Sequence, residues 1–189
     1  MITREEIIKT LVKDKEVLDL GSSWGDFGDF IKQYAEKYHS LDVEKGSDYQ
    51  QDLNKPFDLE RKFDIIVAGE LIEHLENRGV FLENVKKHLK DNGIFFLTTP
   101  NPTSFRFFVY GLINREPDFE GHIKYFTYDA LKLILEKYFR VEKMGFNHYT
   151  TNNPNKHKLS WKIKFFIECL IGDIIQRLSP DIYAICKLR

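Results

Sequence analysis

The 189-residue sequence has few cysteines, no long hydrophobic run and no excess of charge of one sign. Its two cysteines, Cys169 and Cys186, both lie near the end of the chain, so we expect neither a disulfide scaffold nor a cysteine metal site. No uninterrupted apolar stretch reaches the roughly 18 residues that a membrane-spanning helix needs. The opening "ITREEIIKTLVKD" is too charged for a signal peptide, and we expect a cytoplasmic protein.

The charge balance also bears on partners. Lys and Arg number 28 and Asp and Glu 29, which gives a formal net charge of -1. A chain of this charge has no global field that would attract a polyanion. Nucleic acid is therefore a disfavoured partner.

Short apolar segments alternate with segments of helical periodicity. The apolar segments predict strands at 16–20, 40–43, 63–69 and 93–99, each covered on both faces, and "RVEKMGFNHY" and "DIYAICKLR" predict two more. Helices are predicted after Thr3, from Phe27, after Asn77 and after Thr127; the third carries Leu89 on its apolar side and stops at Gly93. This alternation predicts one α/β domain with a doubly wound, mostly parallel sheet and helices on both faces.

A stretch rich in glycine and serine, "LDLGSSWGDFG", joins the first predicted strand to the next helix. Small side chains let a ligand approach the backbone, and the helix N-terminus offers N–H groups to an anionic group. The spacing of Gly21, Gly25 and Gly28 differs from the G-x-G-x-x-G of dinucleotide enzymes. A tight turn that serves packing alone is the alternative interpretation.

Two acidic residues follow the second predicted strand. Asp42 ends this strand, where a carboxylate can accept both hydroxyls of a ribose. Asp52 ends "YQQD", where a carboxylate can accept from an exocyclic amine. Together with the glycine turn they indicate a nucleoside, and the alternative for each is a solvated strand end.

The stretches "VLDLGSSWG", "LDV", "QQDLNKPF", "FDIIVAGELIEHL" and "GIFFLTTPNP" occur in this order. As a set they resemble the class I S-adenosylmethionine-dependent methyltransferases, from about residue 17 to residue 146. The resemblance implies an enzyme with a Rossmann-like sheet of seven strands and S-adenosylmethionine as cofactor. It departs from the family's pattern at Ser23, where a glycine is usual, and in the short gap between Asp42 and Asp52, which leaves little room for the usual helix.

The resemblance also assigns cofactor contacts. Gly21, Ser22 and Gly25 would line the methionine part, Asp42 would bind the ribose, and Asp52 with Leu53 would flank the adenine. The full set of predicted cofactor-binding residues is Asp19, Gly21, Ser22, Ser23, Gly25, Asp42, Val43, Asp52, Leu53 and Glu70.

A cluster of carboxylates and imidazoles is predicted beside the cofactor. "GELIEHLE" would bring Glu70, Glu73 and His74 onto one helical face after the strand at 63–69, and His122 follows the strand at 93–99. We expect His74 or His122 to act as general base. The pattern also resembles the Glu-x-x-Glu-His and distal His of methyltransferases that act on RNA 3′ ends or in the ubiquinone pathway. That resemblance implies a divalent ion such as Mg²⁺ or Mn²⁺ on Glu70, Glu73, His74 and His122, with Fe²⁺ or Zn²⁺ also suited; a metal-free pocket is the alternative.

Two apolar segments, at about 103–115 and 159–178, are predicted to cover the domain, which spans 1–189. The second carries an apolar side formed by Ile163, Ile167, Ile171, Ile174 and Leu178. Burial against the sheet or against a second copy in a homodimer is the leading interpretation; a lipid-like substrate or peripheral contact with a membrane is the alternative.

These features favour O-methylation of a small hydroxylated acceptor such as a sugar, a quinone precursor or a lipid-linked glycan. The Asn/Asp-Pro-Pro-aromatic motif of base-amine methylation and the Pro-Cys of cytosine C5 methylation are absent from the expected positions. Two alternatives stay open. One is a catalytically silent S-adenosylmethionine-binding subunit that docks a partner, and the other is metal-dependent 2′-O-methylation of RNA 3′ ends.

Overall fold

The computed structural model describes residues 2–22, 27–115, 122–148 and 159–189, with the backbone alone for 159–165. Within these ranges, helices alternate with strands along the chain. The elements are α1 (Arg4–Val12), β1 (Glu16–Leu20), α2 (Phe27–Lys32), β2 (Lys37–Asp42), β3 (Tyr49–Gln50), β4 (Phe63–Gly69), α3 (Arg78–His88), β5 (Leu89–Pro100), α4 (Phe105–Leu112), α5 (Tyr128–Leu135), β6 (Arg140–Asn147), α6 (Leu159–Ile174) and β7 (Asp181–Lys187), with short 3₁₀ helices at Ile72–His74 and Gln176–Leu178.

The seven strands form one sheet in the order β3-β2-β1-β4-β5-β7-β6. The pairs among β1 to β5 are parallel, and β7 runs antiparallel to both of its neighbours, β5 and β6. The predicted mostly parallel, seven-stranded sheet is confirmed. Its order reverses between β1 and β4, which is where α/β sheets bind their ligands.

Alternating residues of the central strands pack into two apolar layers, one on each face of the sheet. Ile65 and Val67 of β4 pack with α1 and α2 on one face, and Ile66 and Ala68 pack with α3 and α5 on the other. Successive side chains of a strand point to opposite faces, so a strand that is apolar at every position must be covered on both. The near-continuous hydrophobicity of "FDIIVAG" therefore predicts the layering.

The start of α1 is fixed in two ways. Thr3 Oγ1 accepts from the Glu6 N–H at 3.1 Å, and the Glu6 carboxylate accepts from the Thr3 N–H at 2.8 Å, which confirms the predicted capping box. The Arg4 N–H also donates to the His148 carbonyl at 3.0 Å. These bonds hold Arg4 beside the end of β6.

The predicted boundary between the third helix and the fifth strand is wrong. The helix ends at His88, Leu89 already pairs with Phe63 in the sheet, and Gly93 lies inside β5. The pairing of β4 with β5 shifts register between Phe63 and Ile65, and a Cβ on Gly93 would lie 2.8 Å from the Lys90 carbonyl oxygen. Gly93 thus allows the close backbone approach at an irregular part of β5 and does not end the helix.

The apolar side of α6 is not buried against the sheet, so this part of the leading interpretation is wrong, and burial against a second copy stays a prediction. Among its described side chains, Ile167 is 42% exposed and Ile174 is 76% exposed, whereas Glu168 is only 3% exposed. On α4, which contacts α6, Phe108 and Leu112 are exposed as well. In the described part of the chain, no helix combines the length and apolarity required to cross a bilayer.

Candidate active site

The carboxyl ends of four adjacent strands bring most of the predicted cofactor residues to one edge of the sheet. Leu20 pairs with Leu41 of β2 and with Ala68 of β4, and Asp42 pairs with Gln50 of β3. The glycine turn, the two aspartates and Glu70 all follow directly from these strand ends. Ser23 and Gly25 lie outside the described residues.

Gly21 occupies a position that only glycine fits without strain. Its φ is +74°, and its N–H donates to the Leu41 carbonyl at 2.9 Å. A Cβ at this position would lie 2.8 Å from Leu71 Cδ1. The left-handed backbone conformation therefore favours glycine, and a side chain here would also displace Leu71 in the loop after β4. Ser22, the next predicted contact, follows directly in the turn and is partly exposed.

Asp19 lies beneath this turn and is 3% exposed. The Tyr38 hydroxyl donates to its Oδ2 at 2.7 Å. Burial raises the pKa of Asp19 to about 7, and the hydrogen bond from Tyr38 opposes the shift. Asp19 thus supports the turn from below and is partly protonated near neutral pH.

Asp42 ends β2, as predicted, and is 7% exposed; its contact with a ribose stays a prediction. Its Oδ1 accepts from the Glu44 N–H at 3.0 Å, which fixes the carboxylate at the strand end. Val43, the next residue, is 62% exposed and lies beyond the strand. The side chain of Val43 is thus available for contact with a ligand.

Asp52 and Leu53 follow β3. Asp52 Oδ1 accepts from the Asn54 N–H at 2.9 Å, and this bond, followed by the contact with Lys55, lowers the pKa of Asp52. Leu53 is 6% exposed and packs in the core, so its side chain anchors the segment. Asn54 Oδ1 accepts from the backbone N–H groups of Glu76 and Asn77, which joins this segment to the loop after β4.

The predicted helical face carrying Glu70, Glu73 and His74 is not formed. Glu70 has φ +50°, and its N–H donates to the Thr98 carbonyl at 3.1 Å, so the chain leaves β4 through a left-handed residue. A single turn of 3₁₀ helix then holds Glu73 and His74. Burial raises the pKa of Glu70, opposed by Arg4.

Glu73, His74 and His122 nevertheless meet. One potential ligand atom from each lies within 4.8 Å of the others, and the two imidazole rings are 4.5 Å apart and perpendicular. The Glu73 carbonyl accepts from the N–H groups of Ile123 and Lys124, which brings His122 to this place, and Thr99 Oγ1 donates to Glu73 Oε2 at 2.9 Å. Glu70, the fourth predicted ligand, is not in this set.

The environment of the cluster shifts its pKa values in opposite directions. Burial and then the Glu70 carboxylate raise the pKa of Glu73 to about 9, and Glu73 Oε1 is buried without a hydrogen-bond partner. Burial and then His74 lower the pKa of His122 to about 4. Near neutral pH the Glu73 carboxyl group is thus protonated and the His122 imidazole neutral, and a cation bound between them would favour the ionised form of Glu73.

A cavity of about 300 Å³ opens beside this cluster. Its charged lining comes from Arg4 and Arg106, from His122, and from the carboxylates of Glu70, Glu168 and Asp181. Burial and then Glu70 raise the pKa of Asp181 well above its ordinary value. The sequence analysis did not single out Arg4, Arg106, Glu168 or Asp181 as site residues. For Arg106 and Glu168 a signal existed, because a lone charge inside an apolar segment often marks a buried pair.

Comparison with known proteins decides the family. A family model described as "Methyltransferase domain" matches residues 3–141, which is more than half of the chain. The chain belongs to this methyltransferase family. The expected resemblance is therefore confirmed at the level of the family.

Relatives of this methyltransferase are distant. The ubiquinone biosynthesis O-methyltransferase of Rickettsia conorii is 34% identical over 68 residues, which cover 36% of this chain and 23% of the relative. The chain thus spans much less than two thirds of that relative. A SAM-dependent methyltransferase from Archaeoglobus fulgidus superposes on this chain with a TM-score of 0.60 at 19% identity. The match covers 97% of this chain and 94% of that protein's chain. Small RNA methyltransferase HEN1 has a TM-score of 0.66 at 15% identity, covering 98% of this chain and 24% of that chain. At such identities these structures show a shared fold.

Proposed function

We propose that this methyltransferase transfers the methyl group of S-adenosylmethionine to a hydroxyl oxygen of a small acceptor. One observation carries the proposal: the glycine turn and Asp42 lie on the sheet edge that also holds the Glu73, His74 and His122 cluster and its cavity. A nucleoside on the first part of this edge would direct its sulfonium towards the second. The acceptor would then occupy the cavity.

The reaction needs an aligned acceptor and a place for one proton. The acceptor oxygen attacks the methyl carbon in line, the C–S bond breaks, and its electron pair stays on sulfur in S-adenosylhomocysteine. The proton of the acceptor hydroxyl passes to an imidazole of the cluster. His122 is the candidate because it lines the cavity and its imidazole is unprotonated near neutral pH.

A divalent ion fits the same cluster. Glu73 Oε1 is buried without a hydrogen-bond partner, and one nitrogen from each of two imidazoles lies beside the carboxyl group. A bound ion would supply Lewis acidity that favours ionisation of an acceptor hydroxyl. Because Glu70 is outside this set, one oxygen and two nitrogen ligands suit Mn²⁺, Fe²⁺ or Zn²⁺ better than Mg²⁺.

The test combines cofactor binding with turnover. Calorimetry with S-adenosylhomocysteine measures the cofactor site, and formation of S-adenosylhomocysteine from S-adenosylmethionine is followed with glycosides and catechols, with Mn²⁺ or with EDTA. We expect His122→Ala to keep cofactor affinity and lose turnover. The matched control is His39→Ala, because His39 pairs with Glu16 at the opposite end of the sheet.

The outcomes separate the alternatives. Absence of binding heat would refute the cofactor assignment. Binding without turnover on every acceptor would favour the silent subunit. Full turnover in EDTA would refute the ion and leave the imidazole as base.

The exposed apolar side chains of α4 and α6 support a further part of the proposal, which is contact with a second copy of the chain or with a membrane surface. Phe108 and Leu112 are 57% and 69% exposed, and Phe166 and Leu170 are 68% and 51% exposed. Large apolar side chains exposed on two neighbouring helices are typical of interaction sites. Self-association and contact with a lipid surface both stay predictions, and sedimentation with and without lipid vesicles distinguishes them.

A further inference from the structure

The cavity beside the cluster contains a buried carboxylate that is only half satisfied. Glu168 of α6 is 3% exposed, and its Oε2 accepts from Arg106 Nη2 at 2.7 Å and from Arg106 Nε at 3.1 Å. Its Oε1 is buried without a hydrogen-bond partner. The ion pair joins α4 to α6, and the remaining oxygen is an acceptor with no donor.

A second group without a partner, the Asn147 amide, lies beside Asp181 on the neighbouring strand. Asp181 of β7 lines the cavity, is 5% exposed and pairs with Asn147 of β6. Side chains of directly opposed residues in an antiparallel pair lie on the same face of the sheet. Asn147 is 0% exposed, and neither its Oδ1 nor its Nδ2 has a partner. An amide and a carboxylate therefore stand side by side next to the cavity.

The charges of the cavity determine what can satisfy these groups. The Arg106 guanidinium is paired with Glu168, and the Arg4 guanidinium is bound to Glu5 at 3.0 Å and stacked on Phe27 at 3.8 Å. Both guanidinium groups of the lining are thus already engaged, so an anionic ligand would find no unengaged cation among these residues. Hydroxyl or ammonium groups, by contrast, would donate to oxygens whose burial without a partner destabilises the empty state.

We propose that this cavity receives the methyl acceptor, and that Glu168, Asp181 and Asn147 select a ring that donates several hydrogen bonds over an anionic phenol. The proposal rests on the proposed function for the cavity's role as acceptor site. It adds the substrate class: a polyhydroxylated or amino-bearing ring, held by Glu168 of α6 and Asp181 of β7, with Asn147 of β6 behind Asp181. The reacting oxygen then lies towards His122, which lines the same cavity.

The test uses the whole chain saturated with S-adenosylhomocysteine and three probes. Methyl β-D-glucopyranoside offers hydroxyls, methyl β-D-glucosaminide adds an ammonium group, and 3,4-dihydroxybenzoate offers a catechol with a negative charge. Ligand-observed NMR titration gives a Kd for each. We expect the glycosides to bind at least about tenfold more tightly than the benzoate, which corresponds to one hydrogen bond to a charged group. The ratio between the two glycosides distinguishes hydroxyl from ammonium recognition.

Variants separate selection from folding. Glu168→Gln and Asn147→Leu should each weaken glycoside binding about tenfold. Asn147→Leu should not lower the melting temperature, because it replaces an unpartnered buried amide by an apolar group of similar size. Glu142→Gln is the control, since Glu142 lies on β6 and pairs with Arg140.

Three results would overturn the proposal: no binding of either glycoside, equal or tighter binding of the benzoate, or unchanged glycoside affinity in both variants. Each would leave cofactor binding intact. Failure to bind S-adenosylhomocysteine would instead refute the proposed function itself.

Discussion

Replacement of Gly21 by alanine tests the geometry of the glycine turn and its proposed contact with the cofactor. At φ +74° an L-residue is strained by about 1–2 kcal/mol. The new Cβ would also lie 2.8 Å from Leu71 Cδ1, a contact that the flexible side chain can relieve by shifting. We expect Gly21→Ala to lower the free energy of unfolding by about 2 kcal/mol in total, measured by urea denaturation. It should also weaken binding of S-adenosylhomocysteine.

Two further variants separate the components of this effect. Gly46→Ala is the matched control, because Gly46 also has a positive φ, +108°, and a Cβ there would meet nothing within 4 Å. It should lower stability through backbone strain alone and leave cofactor affinity unchanged. In a double-mutant cycle, Leu71→Ala should recover the crowding component at Gly21 and leave the strain. Wild-type stability and affinity in Gly21→Ala would refute the geometry of the turn.

Three other predictions follow from the site. Asp42→Ala should raise the Kd for S-adenosylhomocysteine about tenfold or more, because the ribose hydroxyls lose their acceptor. Calorimetry measures this Kd. The control is Asp91→Ala, which should leave the Kd unchanged because the Asp91 carboxylate is 92% exposed. Burial raises the pKa of Asp19 from 3.8 to about 7, so the folded state retains a proton that the unfolded state has released. The free energy of unfolding should therefore fall by at most about 4 kcal/mol as the pH rises from about 4 to 7; an equal pH slope in Asp19→Asn would contradict this assignment. Glu73→Gln should abolish any rise in melting temperature caused by Mn²⁺, whereas Glu76→Gln should preserve it.

The strand ends at the sheet edge that holds the predicted cofactor residues were predictable because their sequence signals are local. A strand that is apolar at every position must be buried on both faces, so "FDIIVAG" predicts a central parallel strand without knowledge of its neighbours. The carboxyl ends of parallel strands meet on one edge, and this places Asp42 beside the glycine turn. Helix caps such as Thr3 are equally local.

The exact course of the chain after β4 was not predictable. A spacing of three and four residues predicts a helical face, but Glu70 adopts a left-handed conformation and only one 3₁₀ turn follows. His122 reaches the cluster because its segment is bonded to the Glu73 carbonyl, a contact between residues far apart in the chain. Periodicity carries no information on such contacts.

The sequence by itself determined the α/β class, the parallel strands and the turn at Gly21, because each depends on side chains within a few residues of one another. Only the tertiary structure decided which charges share a cavity. Glu168 interrupts an apolar helix and Asp181 opens the last strand, and neither position reveals its neighbours. Their burial next to Arg106 and His122 arises from the packing of α6 and β7 against the rest of the fold, which depends on the whole chain.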